Sequence, residues 1–430
     1  MMLLLVFLSV FFLLALLCRV PVWASMACGG LVTFLIGGLP MSMFVQGMYN
    51  SLDSFSWLAI PFFMMAGVLM EYTGISRGLV EWINAFIGRV RGNLGYVTIL
   101  ASTAFGVLTG SGAATIMAIG GMMTPEMKKA GYKTDYIAAM LGATCFLGFL
   151  IPPSVPGILY AMAAGTPVAT IWLSTIYPAL IFAVGYCIIN KLKYGCGPKA
   201  PAAEKPSAQK YLQNAGTKTL HAVPVLIMPV IIFGGIYGGI FTATEAGAVC
   251  TVYGILFYFF QKKVKHVNID TNLWKMMKLS ALTTGMICIT CIATNLGTRA
   301  IALSGVANQL TGFILAHFAS KAAFLIALNI MLLILGTFLD INSAILLVTP
   351  LLLPAATSMG ISTVQFGAIL MINMSVGFLT PPLAGGIFMS CKITNAEFSG
   401  AVKEGLPFLL WGIVVIILTT YFPILTTWML

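Results

Sequence analysis

Charge is scarce in this 430-residue sequence: 11 acidic and 22 basic residues make up only 8% of it, against 60% hydrophobic residues and a mean hydropathy of +1.01. A soluble domain of this size cannot cover itself with so few charges, so a soluble fold is excluded. Histidine is scarcer still. His221, His266 and His317 share no metal-ligand spacing. No Walker A glycine loop occurs, which argues against ATP hydrolysis by this chain. The nine cysteines are scattered through apolar runs; Cys288-x-x-Cys291 has no second pair and reads as packing rather than as a zinc or redox site. Segments of ~10 alternating residues, the mark of a membrane barrel, are missing as well.

What is present is a series of apolar runs, many near the ~20 residues that cross a bilayer as a helix. The expected fold is therefore an all-α polytopic membrane protein. The first run, residues 2–17, has Arg19 after it and no basic residue before it, so it reads as a spanning helix rather than a signal peptide. The net charge of +11 sits in short loops, as positive-inside flanks require, and calls for no nucleic acid. Residues 191–218 hold six lysines against the single acid Glu204, and residues 261–278 add Lys262, Lys263, Lys265, Lys275 and Lys278. Both stretches are expected on the cytoplasmic side, with two helices between them. The chain divides into a first half (1–190), a basic linker (191–220) and a second half (221–430). Residues 75–90 read as an amphipathic helix at the inner surface, with a counterpart over 305–317 at the outer one.

The halves are related. A shift of 229 (354 − 125) aligns Pro125 with Pro354, Gly131 with Gly360, Gly148-Phe149-Leu150 with Gly377-Phe378-Leu379, and Pro152-Pro153 with Pro381-Pro382. Matches concentrated on Gly and Pro, without a gap, indicate a duplicated unit. The turn after Pro125 carries Lys128, Lys129 and Lys133, whereas the equivalent turn, 357–362, carries no charge. Opposite charge bias at equivalent positions makes the duplication inverted. Followed through the chain, this topology puts both termini outside.

Each copy has the same internal order. An apolar segment leads to a small polar tip, Thr109-Gly110-Ser111-Gly112 or Asp340-Ile341-Asn342-Ser343, and an apolar segment of about 13 residues follows, short for the ~30 Å hydrocarbon layer. This predicts a re-entrant hairpin in each copy. A second helix is then broken at Ile151-Pro152-Pro153-Ser154 or Thr380-Pro381-Pro382, because adjacent prolines remove backbone donors. Two tips facing two breaks would gather half-helix ends at one depth, where amides attract a carboxylate and carbonyls and hydroxyls coordinate Na⁺. Asp340, an acid in an apolar region, is expected either to ligate a cation or to hold its tip by backbone hydrogen bonds. Glu245, three residues after Thr242, reads as half of a helix cap. Arg299 is a candidate for a substrate carboxylate.

These residues resemble a known family. The run Asp53-Ser54-Phe55-Ser56-Trp57-Leu58-Ala59-Ile60-Pro61, the Gly110-Ser111 tip, the Pro152-Pro153 break, Phe241 to Ala248, and Phe338-Leu339-Asp340 through Pro382 are similar to signatures of the large membrane subunit of tripartite ATP-independent periplasmic (TRAP) transporters. The resemblance spans almost the whole chain. Departures include Ala243, where the family has proline, and Leu383-Ala384-Gly385 after the second break. It implies an elevator-type, Na⁺-coupled importer of organic acids (dicarboxylates, sugar acids or sialic acids) in the bacterial inner membrane. It also implies a small four-helix membrane subunit and a periplasmic substrate-binding protein as partners, with no organic cofactor. Carried onto this chain, one Na⁺ site falls at Gly110, Ser111, Thr115 and the Gly148–Pro152 break. The other falls at Asp340, Asn342, Ser343 and the Gly377–Thr380 break. The anionic substrate would lie among Ser111, Gly112, Pro153, Ser154, Asn342 and Pro381, with Arg299 as a further contact. A stand-alone Na⁺/anion symporter or antiporter is the alternative. An intramembrane enzyme is a remote one, since no nucleophile–base pair or metal set is evident.

Overall fold

The computed structural model describes residues 2–18, 20–87, 90–194, 208–263, 271–303, 305–318 and 320–429. Arg19, Arg89, His266 and residues 195–207 of the basic linker lie outside them. Among the described residues every regular element is helical. Seven of the described helices are long and apolar enough to span a membrane, or eight if one bent pair counts as a single span.

The chain opens with α1 (Met2–Phe12), widening into a π segment over Leu13–Leu17, and α2 (Val22–Ile36). Next come α3 (Met41–Asn50), a 3₁₀ turn over Phe55–Leu58, and α4 (Ala59–Tyr72). The expected amphipathic helix is α5 (Ile75–Ile87). Trp82 Nε1 in α5 donates to Thr219 Oγ1 at 3.1 Å, and Glu81 pairs with Lys218 at 2.5 Å, which pins the end of the basic linker to this helix.

The first repeat unit is a hairpin of α6 (Asn93–Thr109) and α7 (Gly112–Lys129), then α8 (Thr134–Thr144), α9 (Leu147–Leu150), a break, and α10 (Val155–Ala164). The two sides of that break diverge by 43°. Two helices, α11 (Val168–Ser174) and α12 (Ile176–Tyr194), lead to the linker. The two helices expected between the basic stretches are α13 (Ala208–Tyr237) and α14 (Ala243–Lys263). The start of α14 is a capping box: the Thr242 amide donates to Glu245 Oε2 at 2.8 Å, and the Glu245 amide donates to Thr242 Oγ1 at 3.3 Å. Then follow α15 (Leu273–Leu303) and α16 (Val306–His317), the helix over the 305–317 stretch. The second unit comprises hairpin α17 (Lys321–Phe338) and α18 (Ile341–Ser358), α19 (Thr363–Gly377), a break, and α20 (Gly385–Thr394). The chain ends with α21 (Phe398–Tyr421) and α22 (Ile424–Thr427).

The two units run in opposite directions. Lys128 Nζ, at the end of α7, donates to the Thr394 carbonyl at the end of α20, 2.7 Å away. The Tyr160 hydroxyl, in α10, donates to the Thr363 carbonyl at the start of α19, 2.5 Å away. The turn of each unit thus lies beside the far half-helix of the other, as inversion requires. The broken helices cross at the centre. Gly142 meets the Gly386–Ile387 backbone so closely that an added Cβ would sit 2.8 Å from the Ile387 nitrogen. Helix α19 is buried along nearly its whole length. Around this body, α2 and α3 pack on α15, α4 on α14 and α5 on α13, a scaffold that meets the hairpins where α15 packs on α18 and α5 on α6.

The helices after the tips, α7 and α18, are each 18 residues long and run through Pro125, Pro350 and Pro354. In α7 the apolar part ends at Thr124, about 13 residues from the tip, before Glu126, Lys128 and Lys129. The tips are marked by docking against the breaks.

Candidate functional site

At the first tip α6 ends on Gly110, whose φ of 58° turns the chain. A Cβ there would lie 2.5 Å from the Pro153 carbonyl oxygen, so only glycine lets the tip close on the break. Ser111 caps α7 by accepting from the Ala114 amide at 3.4 Å, and Thr115 Oγ1 donates to the Ser111 carbonyl at 2.9 Å. One turn before the tip, Gly106 lies on Gly148: its Cβ would come within 2.5 Å of Gly148 Cα. Gly110, Ser111, Gly112, Thr115, Gly148, Pro152, Pro153 and Ser154 are thereby brought together. Their break is buried, and the polar atoms of Ser154 and the Phe149 and Leu150 carbonyls are engaged. Ser154 Oγ donates to the Phe149 carbonyl and accepts from the Gly157 amide at 3.1 Å, capping α10. Trp172 Nε1 donates to the Ser154 carbonyl at 3.0 Å, and Thr175 Oγ1 donates to the Leu150 carbonyl at 2.5 Å.

The second tip repeats the plan with different chemistry. Asp340 stands where Ser111 does (340 − 111 = 229) and caps α18. Its Oδ2 accepts from the Asn342 and Ser343 amides, each at 3.1 Å, and its Oδ1 accepts from Ser343 Oγ at 2.5 Å. The carboxylate therefore holds the tip, one of the two roles expected of it. Gly336 crosses Gly377 as Gly106 crosses Gly148, with a Cβ on Gly377 falling 2.6 Å from Gly336 Cα. The second break, unlike the first, is open: Pro381, Pro382 and Leu383 are exposed. Leu383 occupies the position of Ser154, and Ala384, the residue before α20, gives that helix no side-chain cap. Thr380 Oγ1 donates to the Val376 carbonyl at 2.8 Å. Asn342 Oδ1 is buried with no hydrogen-bond partner. The two breaks approach each other where Phe149 and Phe378 meet edge to face, centroids 6.2 Å apart.

Arg299 is elsewhere. It lines a cavity of about 590 Å³ bounded by α3, the 3₁₀ turn, α15, α10 and α18, and none of the other predicted site residues lines that cavity. Sequence reasoning passed over Gly106 and Gly336, which are unremarkable within apolar runs. It also passed over Trp172 and Thr175, whose role depends on the fold. Asn295 did carry a signal: a polar residue one helical turn before Arg299, on the same face of an apolar helix.

Two inverted hairpin and broken-helix units, clasped tip to break inside a polytopic helical body, define the membrane permease of a transporter rather than an enzyme. Residues 8–425 match the family described as tripartite ATP-independent periplasmic transporter, DctM component. The chain belongs to that family. It is 33% identical over 409 residues to the uncharacterised protein YgiK of Salmonella typhimurium, covering 94% of this chain and 92% of that one. It is 30% identical over 383 residues to the sialic acid TRAP transporter large permease protein SiaM of Vibrio cholerae, covering 88% and 87% respectively. The solved Alcanivorax borkumensis YdaH transporter superposes with a TM-score of 0.60 at 12% identity over 88% of each chain, a likeness of fold alone.

Proposed function

We propose that this chain couples Na⁺ entry to the import of an organic acid handed over by a periplasmic binding protein, working beside a small membrane subunit in the bacterial inner membrane. The observation that carries the reading is the matched pair of tip-and-break assemblies with unequal chemistry. The first is buried and internally hydrogen-bonded; the second is open, has an uncapped half-helix, and holds the unpartnered Asn342 Oδ1. A bare helix start attracts a carboxylate, and an unpartnered amide oxygen suits Na⁺. Gly110, Ser111, Thr115 and the Gly148–Pro152 carbonyls would take one ion. Asn342 and the Gly377–Thr380 carbonyls would take the other, with Asp340 and Ser343 fixing the tip. The substrate carboxylate would meet α20 between the tips, near Pro381. The clasped hairpins and broken helices would slide as one body against the α2/α4/α14/α15 scaffold, an elevator motion. Both termini would then face the periplasm.

The test is uptake of radiolabelled organic acids into proteoliposomes holding the chain and its small partner, with each cognate binding protein and an inward Na⁺ gradient. Accumulation that needs both Na⁺ and the binding protein is expected. Accumulation without the binding protein would make the chain a conventional symporter, and accumulation without Na⁺ would refute the coupling.

A further inference from the structure

The Arg299 cavity is distinct from the tips in both position and chemistry. Arg299 is the single charged residue on its wall, and no carboxylate among the described residues lies within ion-pairing distance of it. An unpaired guanidinium walled in by helices is costly unless a counter-ion or water reaches it. Helix α3 makes room for it, since a Cβ on Gly47 would sit 3.3 Å from Arg299 Cδ. The surrounding polar groups are free to bind. The side-chain amides of Asn50 and Asn295 make no hydrogen bond among the described residues, and Thr166 Oγ1 is buried without one. The volume of about 590 Å³ falls within the range of small-molecule sites. Asn50, Asn295 and Arg299 belong to the scaffold, whereas Thr166, Leu346 and Pro350 belong to or adjoin the hairpin body. Gly165, on its wall, follows α10, the half-helix that runs away from the lysine-bearing turn.

We propose that this cavity is an outer receiving site for an organic acid with a single carboxylate and a hydroxylated body, occupied before the substrate passes to the tips. The inference rests on the reading that the chain carries an organic anion. One guanidinium satisfies one carboxylate bidentately. The second carboxylate of a dicarboxylate would face no cation on this wall, whereas amide and hydroxyl groups suit sugar hydroxyls. Because its walls come from two bodies, the site exists only in this arrangement and is dismantled when one body slides past the other.

The test uses the full chain in nanodiscs carrying Thr166→Cys. Its thiol is labelled with an anionic sulfonate-bearing methanethiosulfonate or a cationic trimethylammonium one, and mass spectrometry of the peptide spanning position 166 separates it from the native thiols. The anion-to-cation rate ratio should fall about tenfold on Arg299→Gln, be kept by Arg299→Lys, and be unaffected by Asn342→Ala at the tip. The same series at Asn50→Cys, on the facing scaffold, provides an independent reading. D-gluconate should slow the sulfonate reagent at lower concentration than succinate. A ratio unchanged by Arg299→Gln overturns the anion site; protection by succinate as strong as by gluconate, or by neither, overturns the single-carboxylate assignment. A retained ratio with no Na⁺-driven uptake would instead count against the coupled-transport reading.

Discussion

Replacing Gly377 by alanine should open the second tip without unfolding the protein. The new Cβ would lie 2.6 Å from Gly336 Cα and 2.7 Å from Gly336 C, both backbone atoms that no rotamer change can move. Carbon pairs rest at roughly 3.5–4.0 Å, so α17 and α19 must separate by roughly 1 Å at their crossing. Overpacking of this kind costs about 1–3 kcal/mol. The control is Gly121→Ala on α7, where nothing lies within 4 Å and the methyl group brings only the usual helix gain of up to ~1 kcal/mol. Since both substitutions are in helices, the difference between them isolates the packing cost. That cost falls on the docked tip, and each 1.4 kcal/mol lowers its population about tenfold. Thermal melts of the purified protein should therefore order Gly121→Ala at or above wild type and Gly377→Ala below it, with Na⁺-driven uptake falling at least fivefold in the latter alone. Equal melting and equal uptake in the two variants would refute the close crossing and the role assigned to it.

Three further outcomes follow from single side chains. Asp340→Ala removes the cap that receives two amides and the Ser343 hydroxyl and should destabilise the tip by about 1 kcal/mol, whereas Asp340→Asn, still a good cap, should retain most transport; loss of all Na⁺ dependence in Asp340→Asn would show the carboxylate to be an ion ligand instead. Thr175→Val leaves the buried Leu150 carbonyl without its hydroxyl donor and should lower stability by about 1–3 kcal/mol, read as a lower melting temperature; no change would mean that another donor or water reaches it. Asn342→Ala removes an oxygen that makes no internal hydrogen bond, so it should raise the Na⁺ concentration for half-maximal uptake while sparing the melting temperature.

Much of this architecture is legible in the sequence because duplication leaves Gly and Pro in register. Pro152-Pro153 and Pro381-Pro382 break helices wherever they occur, and three lysines on one turn against none on the other reveal the inversion. The tips were found for the same reason: Ser111 and Asp340 are cap residues set in apolar surroundings. What was not legible depended on neighbours distant in sequence. Nothing local to Gly106 or Gly336 says that a second backbone lies within contact distance. How far α7 and α18 continue as helices past Pro125 and Pro354 depends in the same way on the surrounding packing. The unequal breaks follow from Trp172 and Thr175, which close the first and have no counterpart bonding at the second. Arg299 was singled out as a charge in an apolar helix, but its assignment to a cavity away from the tips required the three-dimensional placement of α3 and α10.

The most direct test of the account is whether Na⁺ binds at the clasped tips. Purified protein in nanodiscs should gain thermal stability with Na⁺ and not with K⁺ at equal ionic strength, and the Na⁺ concentration for half the effect should rise in Ser111→Ala and in Asn342→Ala. Equal stabilisation by the two cations, or a Na⁺ response that neither substitution shifts, would contradict it.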